Sequence, residues 1–371
     1  MTAKHFDVLV RGSGMVGQSL ALSLARAGLQ VALRPDPLPV GGAPDVRAYA
    51  LNAASVALLR GLKVWDALPP HAATAVHDMH IEGDAPGAAL DFSAWEQCVG
   101  ELAWIVDAAV LERQLASAVG FAPHITRVHE DVPATLTALC EGRSSASREA
   151  LGVRFERTDY RHRAIATRLS ASRSHQHTAR QWFRSPDVLA LLPLDTPRPQ
   201  ASYALVWSLP NGRADALLAL NDRAFEQALM EATAGAVGSL ELAAPRMAWP
   251  LVRGQASAWC GPGWVLLGDA AHVVHPLAGQ GLNLGLADVV ALTRVISERE
   301  PWRGLGDERL LRRYARARHT PTWAMGQLTE GLLSLFANEL PAVRELRNRG
   351  LTLVNHLNPV KRWLTGHALD S

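Results

Sequence analysis

The sequence predicts an α/β fold in which a parallel sheet with covering helices is interrupted by a smaller β-rich unit and followed by a helical tail. Three observations predict it. The N-terminus reads as strand, glycine turn, helix and second strand; the middle consists of short apolar runs separated by turn residues; and one fully apolar run returns late, ahead of sustained helical periodicity.

The first unit spans residues 6–34. FDVLVR is a Val- and Leu-rich run, residues 16–27 carry apolar side chains at helical spacing, and a second run follows Gly28 over residues 30–33. Both runs are apolar throughout, as strands buried on two faces of a parallel sheet must be. Proline and glycine break the pattern over 35–44, and a helix resumes over 52–60. Residues 79–93 are short and alternating, while 108–119 return to helical spacing. Runs at 164–169, 175–183, 188–194 and 201–209 are spaced like the strands of an antiparallel sheet. Residues 264–267 again read as a buried strand, after which Leu282, Leu286, Val289, Val290 and Ile296 track one helix face, with later helices over 310–338 and 342–357. The resulting division has a discontinuous first domain (1–75, 102–160 and 255–335), a β-rich second domain (76–101 and 161–254) and a helical tail (336–371).

A chain of 371 residues with 48% hydrophobic and 19% charged residues is long enough for two or three packed domains and is not a disordered polymer. A net charge of +2, with both signs interspersed, leaves no footprint for nucleic acid. Cys98, Cys140 and Cys260 show neither zinc nor disulfide spacing and read as reduced cytosolic thiols. Arg11 and the glycines interrupt the apolar start, so it is not a signal peptide, and no apolar run reaches the ~18 residues of a membrane-spanning helix. The expected location is the cytoplasm.

Gly12, Gly14 and Gly17, with Ser13, Met15 and Val16 between them, form G-x-G-x-x-G at a strand-to-helix junction, the context in which the pattern binds a dinucleotide. The first glycine allows the tight turn, the second lets a pyrophosphate approach the backbone, and the third lets the helix close on the strand. The acid expected about 20 residues later is replaced by Arg34, which donates hydrogen bonds and cannot accept them. Two readings follow: a nucleotide with an extra 2′-phosphate, or a site held by other groups. Asp36, between Pro35 and Pro37, is a candidate substitute.

The stretch WVLLGDAAHVVHPLAGQGLNLG, residues 264–285, decides between them. It sets a carboxylate, Asp269, after Gly268 at the carboxyl end of a buried strand, where it can accept from the hydroxyls of a flavin's ribityl chain. Gly279 and Gly281 then open a helix whose free N–H groups and dipole favour the negative charge of a reduced flavin. The stretch resembles the GDAAH-x-x-x-P-x-x-G-Q-G-x-N-x-G motif of the flavin-dependent aromatic hydroxylases, the para-hydroxybenzoate hydroxylase-like superfamily, and within it the ubiquinone-biosynthesis hydroxylases. The resemblance extends to the glycine turn, to Asp45-Val-Arg-Ala-Tyr-Ala-Leu, to residues 102–115 and 177–194, and to the tail.

That resemblance implies a Rossmann-like FAD-binding domain with an inserted antiparallel β-sheet substrate domain and a helical C-terminal tail. It implies that Gly12, Gly14 and Gly17 hold the pyrophosphate, Arg47 lies beside the flavin phosphates, Asp269 binds the ribityl chain, and Pro276 lines the pocket beside the ring. Gly279, Gln280, Gly281, Leu282 and Asn283 would form the isoalloxazine loop. The implied activity is monooxygenation: FAD is reduced by NADH or NADPH, forms a C4a-hydroperoxide with molecular oxygen, and hydroxylates a phenolic or quinol ring in ubiquinone biosynthesis. Besides Arg34, the chain departs from the family in having Glu141-Gly142 for an Asp-Gly pair, a short segment over 123–140, and Ala108 where some relatives have a flavin-contacting amide. These departures also suit a member that binds flavin weakly and serves as an assembly partner. An NADP-dependent dehydrogenase using Arg34 leaves the late stretch unexplained.

No side chain is assigned as acid or base. His275, beside Pro276, is a candidate proton shuttle, with a solvated or core histidine as the alternative. The pairs His272/His275 and His175/His177 lack the third ligand a zinc site needs, so no metal is expected. Trp182, Trp207 and Trp249 fall on strands of the insertion and can floor an apolar substrate pocket or simply fill a core. Arg344, Arg347, Arg349, Lys361 and Arg362 alternate with leucines in the tail, which suits either peripheral contact with the inner membrane face and a polyprenylated substrate, contact with a biosynthetic complex, or a helix pair packed on the first domain.

Overall fold

The computed structural model describes residues 5–36, 45–84, 87–274 and 280–337. The chain begins with β1 (Phe6–Arg11), α1 (Met15–Arg26), β2 (Val31–Arg34), β3 (Ala48–Leu51), α2 (Ala53–Gly61), β4 (Ala73–Val76), β5 (Asp78–Glu82), β6 (Ala89–Ser93), α3 (Ala94–Gln97) and β7 (Ala103–Asp107). It continues with α4 (Ala108–Phe121), β8 (Ile125–Arg127), β9 (Ala134–Leu139), α5 (Ala146–Ala150), β10 (Phe155–Ala171), β11 (Thr178–Arg184), β12 (Asp187–Leu194), β13 (Ser202–Pro210), α6 (Asn211–Leu218) and α7 (Asp222–Ala232). The final elements are β14 (Leu240–Leu242), β15 (Met247–Ala256), β16 (Cys260–Gly261), β17 (Trp264–Leu266), a 3₁₀ turn at Gly268–Ala270, β18 (His272–Val273), α8 (Gln280–Ser297) and α9 (Glu308–Ala337).

The predicted parallel sheet has the order β16-β17-β9-β1-β2-β8, with every pairing parallel except the β16–β17 hairpin. β2 lies on one side of β1 and the much later β9 on the other, so the strand order reverses between β1 and β9. The carboxyl ends of that pair form the crevice where open α/β sheets receive ligands. α1, packed against α4 and α8, is buried over almost its whole length, with Leu20 and Leu24 in the core alongside Val8, Leu33, Leu111 and Leu286. Segment 123–140, expected to be too short for strands, holds two: β8 and β9 join the sheet through a few pairs each, such as Val31↔Ile125 and Val8↔Leu136.

The predicted antiparallel sheet follows the order β18-β15-β10-β13-β12-β11-β5-β6, with β14 on β10, and one pairing in it, β11–β5, is parallel. Two-residue alternation sends Ile165, Leu191, Tyr203, Leu205 and Trp207 to one face, where α6 and α7 cover them with Ala214, Phe225 and Leu229. The opposite, inner face presents Ala179, Ala190, Leu192 and Ala204 toward Ile105 and Val76 of the small sheet β3-β7-β4. Residues 155–159 pair with β15 and so extend the antiparallel sheet, and helices α6 and α7 stand between its strands. α7 is capped by Asn221, whose Oδ1 accepts from the Ala224 amide at 2.9 Å. Of the tail, residues 338–371 lie outside the described residues.

Asn283 fixes the first turn of α8 against the small sheet. The residue is fully buried; its Oδ1 accepts from the Asn52 amide (3.1 Å) and Ser55 Oγ (2.8 Å), and its Nδ2 donates to the Ala50 carbonyl at 2.8 Å. Asn283→Ala leaves three buried polar groups without this partner, an expected cost of about 3 kcal/mol by chemical denaturation. A loss below about 1 kcal/mol would mean that water replaces the side chain.

Candidate functional site

The glycine turn separates structural from open positions. Gly12 has φ of +103°, and a Cβ there would stand 2.3 Å from the Cys140 carbonyl oxygen; a Cβ on Gly17 would stand 2.0 Å from that of Gly12. Those two glycines therefore bring β1, β9 and α1 into contact. A Cβ on Gly14 would meet nothing within 4 Å. Gly14 also N-caps α1 with no side-chain cap and no acid in the first turn, so the helix's first N–H groups face this open space. Gln18 Nε2 donates to the Ser13 carbonyl at 2.6 Å and pins the turn, while Met15 is buried in the core.

Arg34, which the sequence left between two readings, is paired: its Nη1 lies 2.8 Å from Asp131, which Arg11 also approaches at 3.5 Å. Two residues later, the Asp36 carboxyl lies near the glycine turn, where the Ser13 amide favours its ionised form. Burial pushes the Asp36 carboxyl up and nearby Glu141 adds to this, with Arg34, the Ser13 amide and Arg11 opposing. An acceptor is thus present beside the glycine turn, two residues after the expected position. Glu141 folds back on α5, accepting from Ser145 Oγ (2.6 Å), Ser147 Oγ (2.5 Å) and the Ser147 amide (3.2 Å). Burial alone would raise this carboxyl, but the Ser145 and Ser147 bonds, with Arg11, hold it below its usual value.

The late stretch is clamped from behind. Asp288, fully buried on α8, accepts from the Gly268 amide (3.0 Å) and from His272 Nε2 (2.7 Å), while Arg318 Nε of α9 donates to its other oxygen at 2.8 Å. Burial would raise this carboxyl, but His272 and Arg318 hold it below the ordinary value. Arg148 Nη1 reaches the Ala270 carbonyl at 3.0 Å while its guanidinium lies 3.9 Å from the centre of the Phe155 ring, and Tyr314 donates to the Leu266 carbonyl at 2.9 Å. Val16 sits between Gly268 and Gly285: a Cβ on either would approach its methyls at 3.3 Å and 2.6 Å. The two glycine-bearing stretches are therefore in direct contact.

Asp269 is what this clamp presents. Its side chain is exposed and has no hydrogen-bond partner among the described residues, yet protein surrounds it closely enough for burial to raise its carboxyl, with His272, Arg143 and Arg47 opposing. Exposure combined with desolvation fits a carboxyl set in a crevice wall. Gly281 borders open space, Leu282 is in the core, and Asn283, expected in the isoalloxazine loop, directs its side chain to β3 and α2. His275, Pro276 and Gly279 lie outside the described residues. Gln280 is the first residue of α8.

Arg47 forms a bidentate pair with Asp45, both contacts at 2.8 Å. Its carbonyl accepts from the Ala108 amide (3.1 Å) and from Arg168 Nη2 (2.6 Å), which also bonds Asp107 at 2.9 Å. Arg168 projects from β10 and leaves its Nη1 buried without a partner among the described residues, a donor available where the antiparallel sheet meets the small sheet. Trp182 and Trp207 do not line this junction; both are core residues packed on the α6–α7 side, Trp207 beside Phe225. Trp249 differs. Its register partner Ala164 also pairs with Ser208, on the inner face, and Trp249 is half-buried there. His175 lies 3.4 Å from Asp195 and His177 Nδ1 contacts the Ala75 carbonyl, and no three metal-ligating side chains converge among the described residues.

The arrangement offers free helix N–H groups over an open position, an acceptor at each end of a crevice, and a buried donor beside it, a set that fits a diphosphate joined to polyhydroxyl chains. Asp288, Arg318, Arg148 and Arg168 were not anticipated. Asp288 alone had a signal, standing three residues beyond the late stretch on the same helix.

Asp269→Asn gives a sign-specific test. The carboxyl sits above its unfolded value of about 3.9, so ionisation disfavours the flavin-free fold, and that loss is complete once pH exceeds the folded value. Without flavin, the variant is expected to melt higher than wild type at pH 7, the gap closing as pH falls below ~4, while its flavin content drops. Equal melting at all pH values contradicts the crevice. Asp288→Ala strands Arg318 and the Gly268 amide and is expected to cost about 3–5 kcal/mol with loss of bound flavin; a variant that keeps both contradicts the clamp.

A profile of the family described as FAD binding domain matches residues 108–329. The chain is 30% identical to 3-demethoxyubiquinol 3-hydroxylase of Escherichia coli (strain K12), with 100% of both chains covered. It is 28% identical to ubiquinone hydroxylase UbiL of Rhodospirillum rubrum, covering 99% of this chain and 90% of that one. Among solved structures, P. aeruginosa PqsL matches with a TM-score of 0.77 at 18% identity, covering 94% of this chain and 100% of that one. The p-nitrophenol 4-monooxygenase PnpA from Pseudomonas putida DLL-E4 matches with a TM-score of 0.75 at 17% identity, covering 98% and 97%. The chain belongs to the FAD-dependent aromatic hydroxylases, the family that its late stretch resembles.

Proposed function

We propose that this chain hydroxylates the ring of a phenolic or quinol intermediate of ubiquinone biosynthesis, with NADH or NADPH and molecular oxygen as co-substrates. The observation that carries the proposal is the convergence of Gly14 and Asp269 on one crevice at the β1/β9 reversal, locked by Val16 between Gly268 and Gly285. The relatives named ubiquinone hydroxylase supply the substrate class. Bound FAD supplies the activation of oxygen; the protein's task is to bind, orient and keep water out.

The residue roles follow from position. Gly12, Ser13, Gly14 and Gly17, with the first N–H groups of α1, take the pyrophosphate. Asp36 accepts from the adenosine ribose in place of Arg34, whose guanidinium Asp131 holds. Asp269 accepts from the ribityl hydroxyls, and the first turn of α8 faces the pyrimidine edge, where its dipole stabilises negative charge. Arg168 and the paired Arg47 stand at the entrance to the inner face. The substrate ring would lie over that face, against the small side chains Ala164, Ala166 and Val206 and the half-buried Trp249. A long prenyl tail requires access from a bilayer, so peripheral membrane contact through the basic tail remains part of the proposal; among the described residues no helix is long and apolar enough to cross a membrane.

The reading as a non-catalytic assembly partner rested on Arg34, Glu141 and the short middle segment. Asp36 beside Ser13, the retained Glu141 bonds and the formed strands β8 and β9 favour the enzyme instead.

Purified FAD-loaded protein is expected to oxidise NAD(P)H faster when a short-chain demethoxyquinol analogue is added, and to yield a product with one added oxygen by mass spectrometry. Substrate-independent oxidation with no oxygenated product would return the assembly-partner reading. A deletion strain that accumulates a quinone intermediate would name the ring position.

A further inference from the structure

On the face of the antiparallel sheet turned away from the cofactor crevice, a cavity of about 340 Å³ opens among β11, β13, the loop after β10 and the loop after α7. Arg173, Ser174, Gln176, Arg180, Tyr203 and Val237 line it. Its side of the sheet follows from register: Arg180 stands opposite Leu191, which shares the α7-covered core with Tyr203. It is therefore separate from the inner face of Ala164, Val206 and Trp249.

Tyr203 is 1% exposed, and its hydroxyl is buried with no hydrogen-bond partner among the described residues. Burial pushes that hydroxyl's pKa up to about 12, so at neutral pH it is an O–H that has a proton to donate. Arg173 and Arg180 have no ion-pair or hydrogen-bond partner among the described residues, whereas Arg163, Arg168, Arg198, Arg213 and Arg246 of the same domain all have carboxylates. Two guanidiniums and a phenol supply donors and positive charge, and no carboxylate stands among the lining residues to match them. A core tyrosine with solvated arginines is the structural alternative, but a buried hydroxyl without a partner costs free energy that an acceptor reaching it from the cavity would recover.

We propose that this cavity binds a small phosphate-bearing molecule. A tetrahedral group with three terminal oxygens can accept from Arg173, Arg180 and Tyr203 at once, which a two-oxygen carboxylate does less completely. Val237 and Ala236 offer an apolar wall for an organic substituent.

The test is isothermal titration calorimetry of the FAD-saturated protein with inorganic phosphate and with phenyl phosphate, at ionic strength held constant by chloride. Saturating FAD removes the glycine turn as a competing phosphate site. Saturable binding of at least one probe is expected, weakened about tenfold or more in Arg180→Gln and weakened also in Tyr203→Phe, which keeps the buried ring and so the fold. Preference for phenyl phosphate identifies an ester as the ligand class; equal or tighter binding of inorganic phosphate identifies the free ion. Absence of saturable heat with both probes, or binding unchanged in Arg180→Gln, overturns the proposal.

Discussion

The buried carboxylate of Asp288 is the interaction on which the rest of the site depends. An ionised carboxylate out of water must be neutralised and hydrogen-bonded, and here His272, Arg318 and the Gly268 amide do both. Each partner belongs to a different part of the chain: α9, the strand after the 3₁₀ turn, and the turn itself. Satisfying one charge therefore fixes where β17 ends, how α8 lies across it, and which way Asp269 faces. Charge that must be paired inside the protein produces a charge that is left unpaired in the crevice.

The other end of the crevice follows a similar logic with surface charges. Arg34, Arg11, Asp36, Asp131 and Glu141 gather at the carboxyl ends of β1, β2 and β9. Asp131 draws Arg34 aside, and the chain places Asp36 against the turn. In the proposed reading, a substitution that looks disabling in isolation is accommodated because the acceptor shifts by two residues along the same strand exit. Glu141 shows a comparable accommodation: its extra methylene is absorbed by folding the carboxylate onto Ser145 and Ser147.

What was legible in the sequence was local. The glycine turn, Asp269 and the strand and helix order are encoded in contiguous periodicity and in the residue types that turns demand. What was not legible depends on pairing at long range. Arg168 meets Asp107, Arg148 meets Ala270 and Arg318 meets Asp288 only after folding. The tryptophans illustrate a subtler limit: alternation in a strand assigns residues to two faces but does not say which face meets the cofactor. Trp182 and Trp207 fell on the helix-covered face, and Trp249 shares the inner face with Ala164 only because of the β10–β15 register. Helices α6 and α7 are short and stand between strand-like runs; α7 alone carries a local start signal, the Asn221 cap.

The central claim is that one crevice holds both halves of a dinucleotide flavin, the pyrophosphate at Gly14 and the ribityl chain at Asp269. Fluorescence titration of the flavin-free protein with FAD and with FMN tests it most directly, because FMN keeps the ribityl chain and loses the adenosine half. The account expects FAD to bind about a hundredfold tighter or more, the worth of a few charge-assisted hydrogen bonds at the glycine turn. Equal affinity for the two would contradict it, since the glycine turn and Asp36 would then contribute nothing to holding the cofactor.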